Sequence, residues 1–160
     1  LAHYRIVATD VQEFLNKQQA NGRPGADEYE VNIIYAYFLV THLDAVTGQP
    51  LNSGAGFSYT RSINLSEDMT ECELAADYIL ADEQGSGVTV TVEVREKGVG
   101  KAVLSRSSGL EIPYRRGHTT TVTGRFLTAG SGGGGGSGSG GIDIGIDGDY
   151  DGEINIDARN

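Results

Sequence analysis

Apolar and polar residues alternate with a period of two along most of this chain, as they do in β-strands that bury one face. The clearest run is VTVTVEV at 88–94, in which valines alternate with threonine and glutamate. The run YEVNIIYAYFLV at 29–40 has apolar residues at both alternating sets of positions, so we expect a central strand covered on both faces. Other strands are predicted at 3–9, 56–65, 110–114 and 119–128. Pro113 places the third of these at a sheet edge.

The segment ECELAADYILA at 71–81 fits two different structures. Its alanine, leucine and glutamate residues favour a helix by intrinsic propensity. Cys72, Leu74, Ala76 and Tyr78 nevertheless occupy strictly alternating positions, which is the period of a strand. We therefore predict a strand in which these four side chains point inward.

One segment near the N-terminus, TDVQEFLNKQQANG, has helical spacing instead. Val11, Phe14 and Leu15 lie at i, i+3 and i+4, which gives a short apolar stripe. Thr9 and Gln12 have the spacing of a capping box, in which each side chain bonds to the backbone of the other. The pattern predicts one short helix that packs on the sheets.

A stretch of glycine and serine, GSGGGGGSGSGG at 130–141, precedes the last apolar alternation. Such a composition has no side chains to pack, so we expect a flexible tether, either natural low-complexity sequence or an engineered linker. The tether leads to a terminal hairpin at 142–157. The isoleucines expected to pair across this hairpin are Ile142, Ile144 and Ile146 with Ile154 and Ile156.

The number of predicted elements sets the fold class. About eight or nine short strands separated by turn residues, together with one short helix, predict an all-β protein. Residues 1–160 fit a single antiparallel β-sandwich domain that includes the tether and the terminal hairpin. The chain opens at LAHYRIV without an initiator methionine, and we interpret it as a processed or trimmed piece of a longer protein.

The formal net charge of −10 narrows the range of partners. Nucleic-acid binding is not expected, because nothing would replace the phosphate counterions, and the same charge disfavours anionic lipid. No stretch approaches the ~20 apolar residues of a membrane span. Cys72 is the only cysteine, so no internal disulfide forms, and we expect it to be a small buried residue.

The sequence offers no pattern that is typical of a catalytic centre. The three histidines, His3, His42 and His118, are far apart and have no metal-ligand spacing. The glycine runs are not followed by Lys-Ser or Lys-Thr, and no serine lies in a nucleophile elbow. We therefore predict a protein that is not an enzyme.

A basic group of residues lies in RRGHTTTVTGR. It contains Arg115, Arg116, His118 and Arg125, which would suit an acidic partner or a sugar acid if they met in space. We prefer the interpretation of a solvated sheet face beside the acidic hairpin.

The turn of the terminal hairpin, DGDYDG, begins like a calcium loop. Asp147, Asp149 and Asp151 alternate and end on a glycine. A full EF-hand loop needs a glutamate at its twelfth position, where this chain has Ala158, and the following EINID has strand period. Aspartate and glycine are also the residues that tight turns favour, so we expect a turn without a cofactor. The alternative is a weaker calcium site formed by the three aspartates.

Four segments together resemble the C-terminal region of the fimbrillin-like proteins of Bacteroidales. These segments are YAYFLVTHLDAVTGQP, ELAADYILA, LEIPYRRGHTTTVTGRFLT and IDIGIDGDYDGEINI. The shared pattern is a strand ending in Asp-Tyr, a valine-rich hairpin, a proline-containing strand that runs into an arginine and threonine segment, and a closing acidic hairpin.

The resemblance implies a transthyretin-like β-sandwich that is secreted and located at the cell surface or outer membrane, as a lipoprotein or a polymerised subunit. It implies a structural role in a fimbrium or in cell adhesion, with other fimbrial or surface subunits as partners. Some relatives assemble by donating a strand to a neighbour's open sheet. Membrane contact would then come only through a lipid anchor outside this chain, and no catalytic residues are implied. The alternative is a ligand-binding β-sandwich module, stabilised by calcium and specific for glycans.

Overall fold

The computed structural model describes residues 1–22, 29–37, 39–81, 84–98 and 100–128, together with the backbone of 143–147 and 153–156. This part of the chain contains eleven strands and one helix. The strands are β1 (Ala2–Ala8), β2 (Tyr29–Tyr35), β3 (Leu39–Leu43), β4 (Pro50–Gly54), β5 (Ser58–Ile63), β6 (Cys72–Ile79), β7 (Ser86–Glu96), β8 (Val103–Tyr114), β9 (Thr119–Gly124), β10 (Asp143–Asp147) and β11 (Glu153–Ile156), and the helix is α1 (Val11–Ala20).

Two sheets form the sandwich. Sheet A has the strand order β11-β10-β9-β1-β6, and sheet B has the order β5-β2-β7-β8. Strands β3 and β4 pair with each other in a separate two-stranded sheet. The predicted all-β sandwich with one short helix is therefore confirmed. One pair departs from the antiparallel prediction, because β1 runs parallel to β9 from His3↔Thr119 to Ala8↔Gly124.

The inner faces of the two sheets share one apolar core. Sheet B supplies the alternating valines of β7 and the inward residues of β2, and both sets are buried as the period-two pattern predicts. Sheet A supplies Tyr4, Ile6 and Val122, all fully buried. Helix α1 covers one end of this core, where the ring of Phe14 packs edge-on against Tyr29 with centroids 5.0 Å apart. Each fully buried apolar side chain contributes about 1.5–3 kcal/mol.

The predicted long strand at 29–40 is broken in two. Its first part, β2, lies between β5 and β7, so its central position is confirmed. The strand ends at Tyr35, Tyr37 is 69% exposed, and the chain continues as β3 in the separate sheet. The expectation of two covered faces is wrong, because the outward positions include Glu30 and Asn32, which stay only partly buried.

Strand β6 confirms the period-two interpretation of the ambiguous segment, but a bulge interrupts it. The register with β1 passes from Ile6↔Ala75 directly to Val7↔Glu73, which leaves Leu74 as an extra residue. An extra residue in one strand shifts the following side chains to the opposite face.

This shift corrects the predicted inward set. Cys72 and Leu74 contact the core as expected. Beyond the bulge, Ala76 is only partly buried and Tyr78 is exposed, so their predicted inward orientation is wrong. The residues that share the register of the buried β1 positions Ile6, Tyr4 and Ala2 are Ala75, Asp77 and Ile79.

The predicted apolar stripe of α1 is buried, but its N-terminus differs from the predicted capping box. The residue before the helix is Asp10, which makes no side-chain bond to the first turn. Gln12 instead donates to the carbonyl oxygens of Glu67 and Met69, at 2.6 Å each. The helix start is therefore held by a neighbouring loop rather than by reciprocal capping.

The carboxylate of Asp10 fixes the end of the segment that follows β9. It is buried, and it accepts hydrogen bonds from Leu127 N at 3.3 Å, Thr128 N at 2.7 Å and Thr128 Oγ1 at 2.6 Å. Phe126, which lies just before these two residues, is fully buried. The chain is therefore anchored as far as Thr128, two positions before the glycine and serine stretch begins.

The terminal hairpin extends sheet A. Strand β10 pairs antiparallel with β9 and with β11. The predicted partners meet, since Ile144 lies opposite Ile156 and Ile146 lies opposite Ile154. The predicted tether, 130–141, lies outside the described residues.

The edges of sheet B are β5 and the long strand β8, and β8 pairs only with β7 in the described part of the chain. Pro113 lies in this strand, so its predicted edge position is confirmed. Two buried hydroxyls join β8 to sheet A, because Thr120 donates to Pro113 O at 2.6 Å and Ser105 donates to Phe126 O at 2.5 Å.

Candidate functional site

Three tyrosines and one aspartate form a polar cluster inside the sandwich, which we call the tyrosine chain. The Tyr4 hydroxyl lies 2.6 Å from that of Tyr35 and 3.2 Å from that of Tyr59. The Tyr35 hydroxyl donates to Asp77 Oδ2 at 2.7 Å. Tyr4 and Tyr35 are buried, whereas Tyr59 and Asp77 are only partly buried.

Each sheet supplies two members of the tyrosine chain. Tyr4 and Asp77 face each other across the β1–β6 pair of sheet A. Tyr35 lies on β2 and Tyr59 on the neighbouring β5, both in sheet B. The chain therefore crosses the gap between the sheets. The bulge at Leu74 is essential, because it brings Asp77 into register with buried positions of β1.

The number of available protons fixes the direction of the hydrogen bonds. A phenol has one proton to donate, and an ionised carboxylate only accepts. Tyr35 gives its proton to Asp77, so Tyr4 donates to Tyr35 and Tyr59 donates to Tyr4. All three hydroxyl protons are donated in hydrogen bonds, and the last bond of the series ends on the carboxylate of Asp77.

Burial raises the pKa of all three phenols. Desolvation is the main cause for Tyr4, and the charges and hydrogen bonds of Tyr35 and Tyr59 add to it. Desolvation also raises the pKa of Tyr35, and Asp77 reinforces it. The pKa of Tyr59 rises for the same first reason.

A phenol serves as a general base or a nucleophile only when its pKa approaches the working pH. These three pKa values move in the opposite direction, so the hydroxyls stay neutral and act as donors and acceptors. The arrangement is suited to holding the two sheets together.

A charged group adjoins the tyrosine chain. Glu73, on the bulged part of β6, accepts from Arg5 Nε at 2.7 Å and from Arg61 Nη1 at 3.5 Å. Burial opposes ionisation of Glu73, but the hydrogen bonds and charges of the two arginines outweigh it and lower its pKa. Arg61 comes from β5, so this carboxylate also links the two sheets.

Cys72 lies beside these charges and is half-buried rather than fully buried as predicted. Its Sγ lies 3.7 Å from Glu73 O, and burial raises the pKa of its thiol. A thiol with a raised pKa has little thiolate at neutral pH and is a poor nucleophile.

The predicted basic group is divided among separate contacts. Arg116 donates to the carbonyl oxygens of Gly48 and Ala81, and Arg125 pairs with Glu13 of α1. The preferred interpretation of these residues, a solvated face without a ligand, stays a prediction.

The histidines also lie in separate environments. His3 stacks on Tyr78 and contacts Thr119, while His42 contacts its neighbour Thr41. The Nδ1 atom of His118 lies 2.8 Å from a backbone oxygen two residues before it. Within the described residues no group of three or more metal-ligating side chains occurs.

The calcium candidates lie at the edge of what the structure describes. The backbone of Asp147 ends β10, opposite Glu153 of β11 and Thr119 of β9. Asp149 and Asp151 lie outside the described residues. Both the turn and the calcium alternative therefore stay predictions.

Sequence reasoning missed the tyrosine chain. The available signal was the alternation in the segments 29–40 and 56–65, in which Tyr35 and Tyr59 occupy the same alternating positions as apolar residues of their strands. The acceptor could not be identified, because strict alternation along β6 points Asp77 outward unless the bulge is known.

In the described part of the chain no helix has the length and apolar character needed to cross a membrane.

The model of a family of unknown function, DUF6562, matches residues 1–160, which is the full sequence. Comparisons with curated proteins and with solved structures give no match. The chain belongs to the DUF6562 family.

Proposed function

We propose that this protein is a non-enzymatic structural or adhesion protein of the cell surface, which assembles with other surface subunits. The observation that carries the proposal is the position of the terminal hairpin. Strand β10 occupies the edge of β9 through backbone pairing over five residues, Asp143–Asp147 with Thr119–Thr123.

Backbone pairing does not depend on which chain supplies the strand. Without β10, strand β9 would present a row of unpaired backbone groups on one side. The same edge therefore accepts β10 from its own chain or from a neighbouring subunit, as in other cases of β-augmentation. Residues 130–141 contain only glycine and serine, so no specific side chains link the hairpin to the sandwich that precedes it.

The chemistry of the described polar groups supports the same role. The tyrosine chain and the Glu73 contacts tie the sheets together, and raised phenol pKa values keep the tyrosines neutral. The resemblance to fimbrillin-like proteins supports a secreted, surface-attached location, with a lipid anchor outside this chain.

Disulfide trapping tests the assembly part of the proposal. Thr121 and Gly145 are register partners, and paired Cα atoms in antiparallel strands lie at a separation that a disulfide spans. In a Cys72→Ser background, Thr121→Cys with Gly145→Cys should give an intramolecular disulfide in dilute protein. Concentrated protein oxidised after mild denaturant treatment should give a ladder of covalent oligomers on a non-reducing gel.

The matched control moves both cysteines out of register. Thr123→Cys with Asp147→Cys uses the same two strands, but these positions pair with Asp143 and Thr119 instead. This control should give neither product. Only intramolecular disulfide at every concentration would reject assembly through the hairpin.

Protease treatment of intact producing cells tests the location. We expect the protein to be cleaved while a cytoplasmic marker survives. Full protection on intact cells, with cleavage only after lysis, would reject a surface role.

A further inference from the structure

A separate arm of the molecule combines exposed apolar residues with almost no charge. We define the β3–β4 arm as residues 39–57, which include both strands of the two-stranded sheet. Val46 is 94% exposed, Leu51 is 60% exposed, and Phe57 is also exposed. The arm has a single acidic residue, Asp44, and no lysine or arginine, in a chain with 34 such charged residues (12 basic and 22 acidic). Exposed apolar and aromatic residues without charge are typical of the centre of a protein interface.

The tip of the arm is an ordered turn. Asp44 Oδ1 accepts from Val46 N at 2.7 Å and from Thr47 N at 3.2 Å, and Gly48 N donates to Asp44 O at 2.7 Å. These backbone bonds lower the pKa of Asp44. Val46 is therefore presented on a fixed turn rather than on a loose loop.

The arm is also held to the sandwich. The Arg116 guanidinium donates to Gly48 O near the tip and to Ala81 O after β6. An isolated two-stranded ribbon has little stability of its own in water. Among the described strands no third strand pairs with β3 or β4, so this part of the chain leaves both outer edges of the ribbon without a neighbouring strand.

The charge distribution of the chain indicates which kind of partner would bind the β3–β4 arm. The whole chain carries −10, and the arm accounts for −1 of it, so the remainder carries −9. A basic partner would be attracted to that remainder rather than to the arm. Two copies of this chain have the same net negative charge and repel each other on average, and this repulsion is weak where surfaces with little charge meet. The arm is thus the surface on which a second copy docks with the smallest Coulomb penalty.

We propose that the β3–β4 arm is a self-association surface through which two copies of the chain pair, arm to arm, about a two-fold axis. Apolar contact by Leu51 and Val46 supplies the attraction, and the ribbon edges that no described strand occupies allow strand pairing across the axis. This inference uses a different element from the terminal hairpin and goes beyond the proposed function.

Sedimentation equilibrium of the full chain from about 1 µM to about 1 mM tests the proposal. The sample is the oxidised Cys72→Ser, Thr121→Cys, Gly145→Cys protein, in which the hairpin is locked and cannot exchange. We expect a reversible dimer whose dissociation constant falls as salt rises, because salt screens the repulsion between two acidic chains. A locked protein that is monomeric throughout this range would overturn the proposal. The disulfide-trapping experiment tests only assembly through the terminal hairpin, so an absence of covalent oligomers there would reject that assembly and leave the arm proposal standing.

Matched variants locate the surface. Leu51→Asp and Val46→Asp should each raise the dissociation constant at least about tenfold. The control Val103→Asp makes the same change at a residue on β8 that is 43% exposed, and it should leave the constant within about twofold. Equal weakening by all three variants would show a general charge effect and would overturn the assignment to the arm. Circular dichroism confirms that each variant is folded before its constant is compared.

Discussion

Replacing Tyr4 by phenylalanine removes the middle hydroxyl of the tyrosine chain while keeping the buried ring. In the variant, the Tyr35 oxygen loses its donor and the Tyr59 hydroxyl loses its acceptor. Tyr35 is only 4% exposed, so hydration by water replaces little of the lost hydrogen bond. We therefore expect Tyr4→Phe to destabilise the fold without changing its topology.

The magnitude follows from the cost of buried polar groups that lack partners. Such a group costs about 1–3 kcal/mol, and Tyr59 is partly hydrated, so we expect a loss of about 2 kcal/mol. For a chain of this size that lowers Tm by about 4–8 °C. Tyr59→Phe removes only the first donor of the chain and should cost about half as much.

Urea unfolding followed by far-ultraviolet circular dichroism measures this loss. The control is Tyr78→Phe, which removes an exposed hydroxyl and should change stability by less than about 0.5 kcal/mol. If Tyr4→Phe were as stable as Tyr78→Phe, the chain would contribute nothing to joining the sheets, and the structural interpretation of the site would fail.

The pH dependence checks the same reasoning. Tyr4 and Tyr35 have folded pKa values above the ordinary value of about 10. Their stabilisation is complete below that pH and is lost as pH rises further, because only the unfolded state then releases the protons. Above that pH, each such phenol lowers the free energy of unfolding by about 1.4 kcal/mol for every unit of pH. The alkaline unfolding of Tyr4→Phe should be less steep than that of the wild type by this amount.

Three further predictions concern other contacts. Cys72 should react with a thiol reagent at least about tenfold more slowly in the native protein than in urea, because burial raises its pKa, and equal rates would contradict the half-buried position. Millimolar calcium should leave Tm unchanged. A site with calcium at about 100 times its dissociation constant would add about 2.7 kcal/mol, so a rise of several degrees that Asp149→Ala abolishes would favour the calcium alternative. Asp10→Ala should speed hydrogen exchange at the amides of Leu127 and Thr128 and leave exchange at the control amide of Val92 unchanged. If the amides of Leu127 and Thr128 stayed protected in the variant, the anchoring contact would be contradicted.

The parts of the fold that were predictable are those governed by local periodicity. In β7 the valines face the core and the intervening residues face outward, so the sequence pattern and the sheet agree at almost every position. The same holds for the buried stripe of α1 and for the register of the terminal hairpin. In each case the deciding interaction lies within one element or between neighbours in the chain.

The features that were not predictable depend on distant partners. The bulge at Leu74 is defined by how β6 pairs with β1, and β1 lies some seventy residues earlier in the chain. The contacts of Asp10 join residues more than a hundred positions apart, and so does the parallel pairing of β1 with β9. A pattern of side chains along one strand contains no information on these pairings. The tyrosine chain was missed for this reason, since its acceptor is inward only because of the bulge.

Without the terminal hairpin, sheet A would end at β9 on one side and at β6 on the other, and these two sides differ in a way that bears on assembly. On the β6 side, the bulge at Leu74 interrupts the ladder and Glu73 is held by Arg5 and Arg61, and both devices discourage a further strand from pairing. On the β9 side, the ladder with β10 is regular over all five pairs. Addition of a strand from a neighbour is therefore favoured at one side only. An assembly that grows through sheet A would grow in one direction, and substitutions on the β6 side should leave it intact.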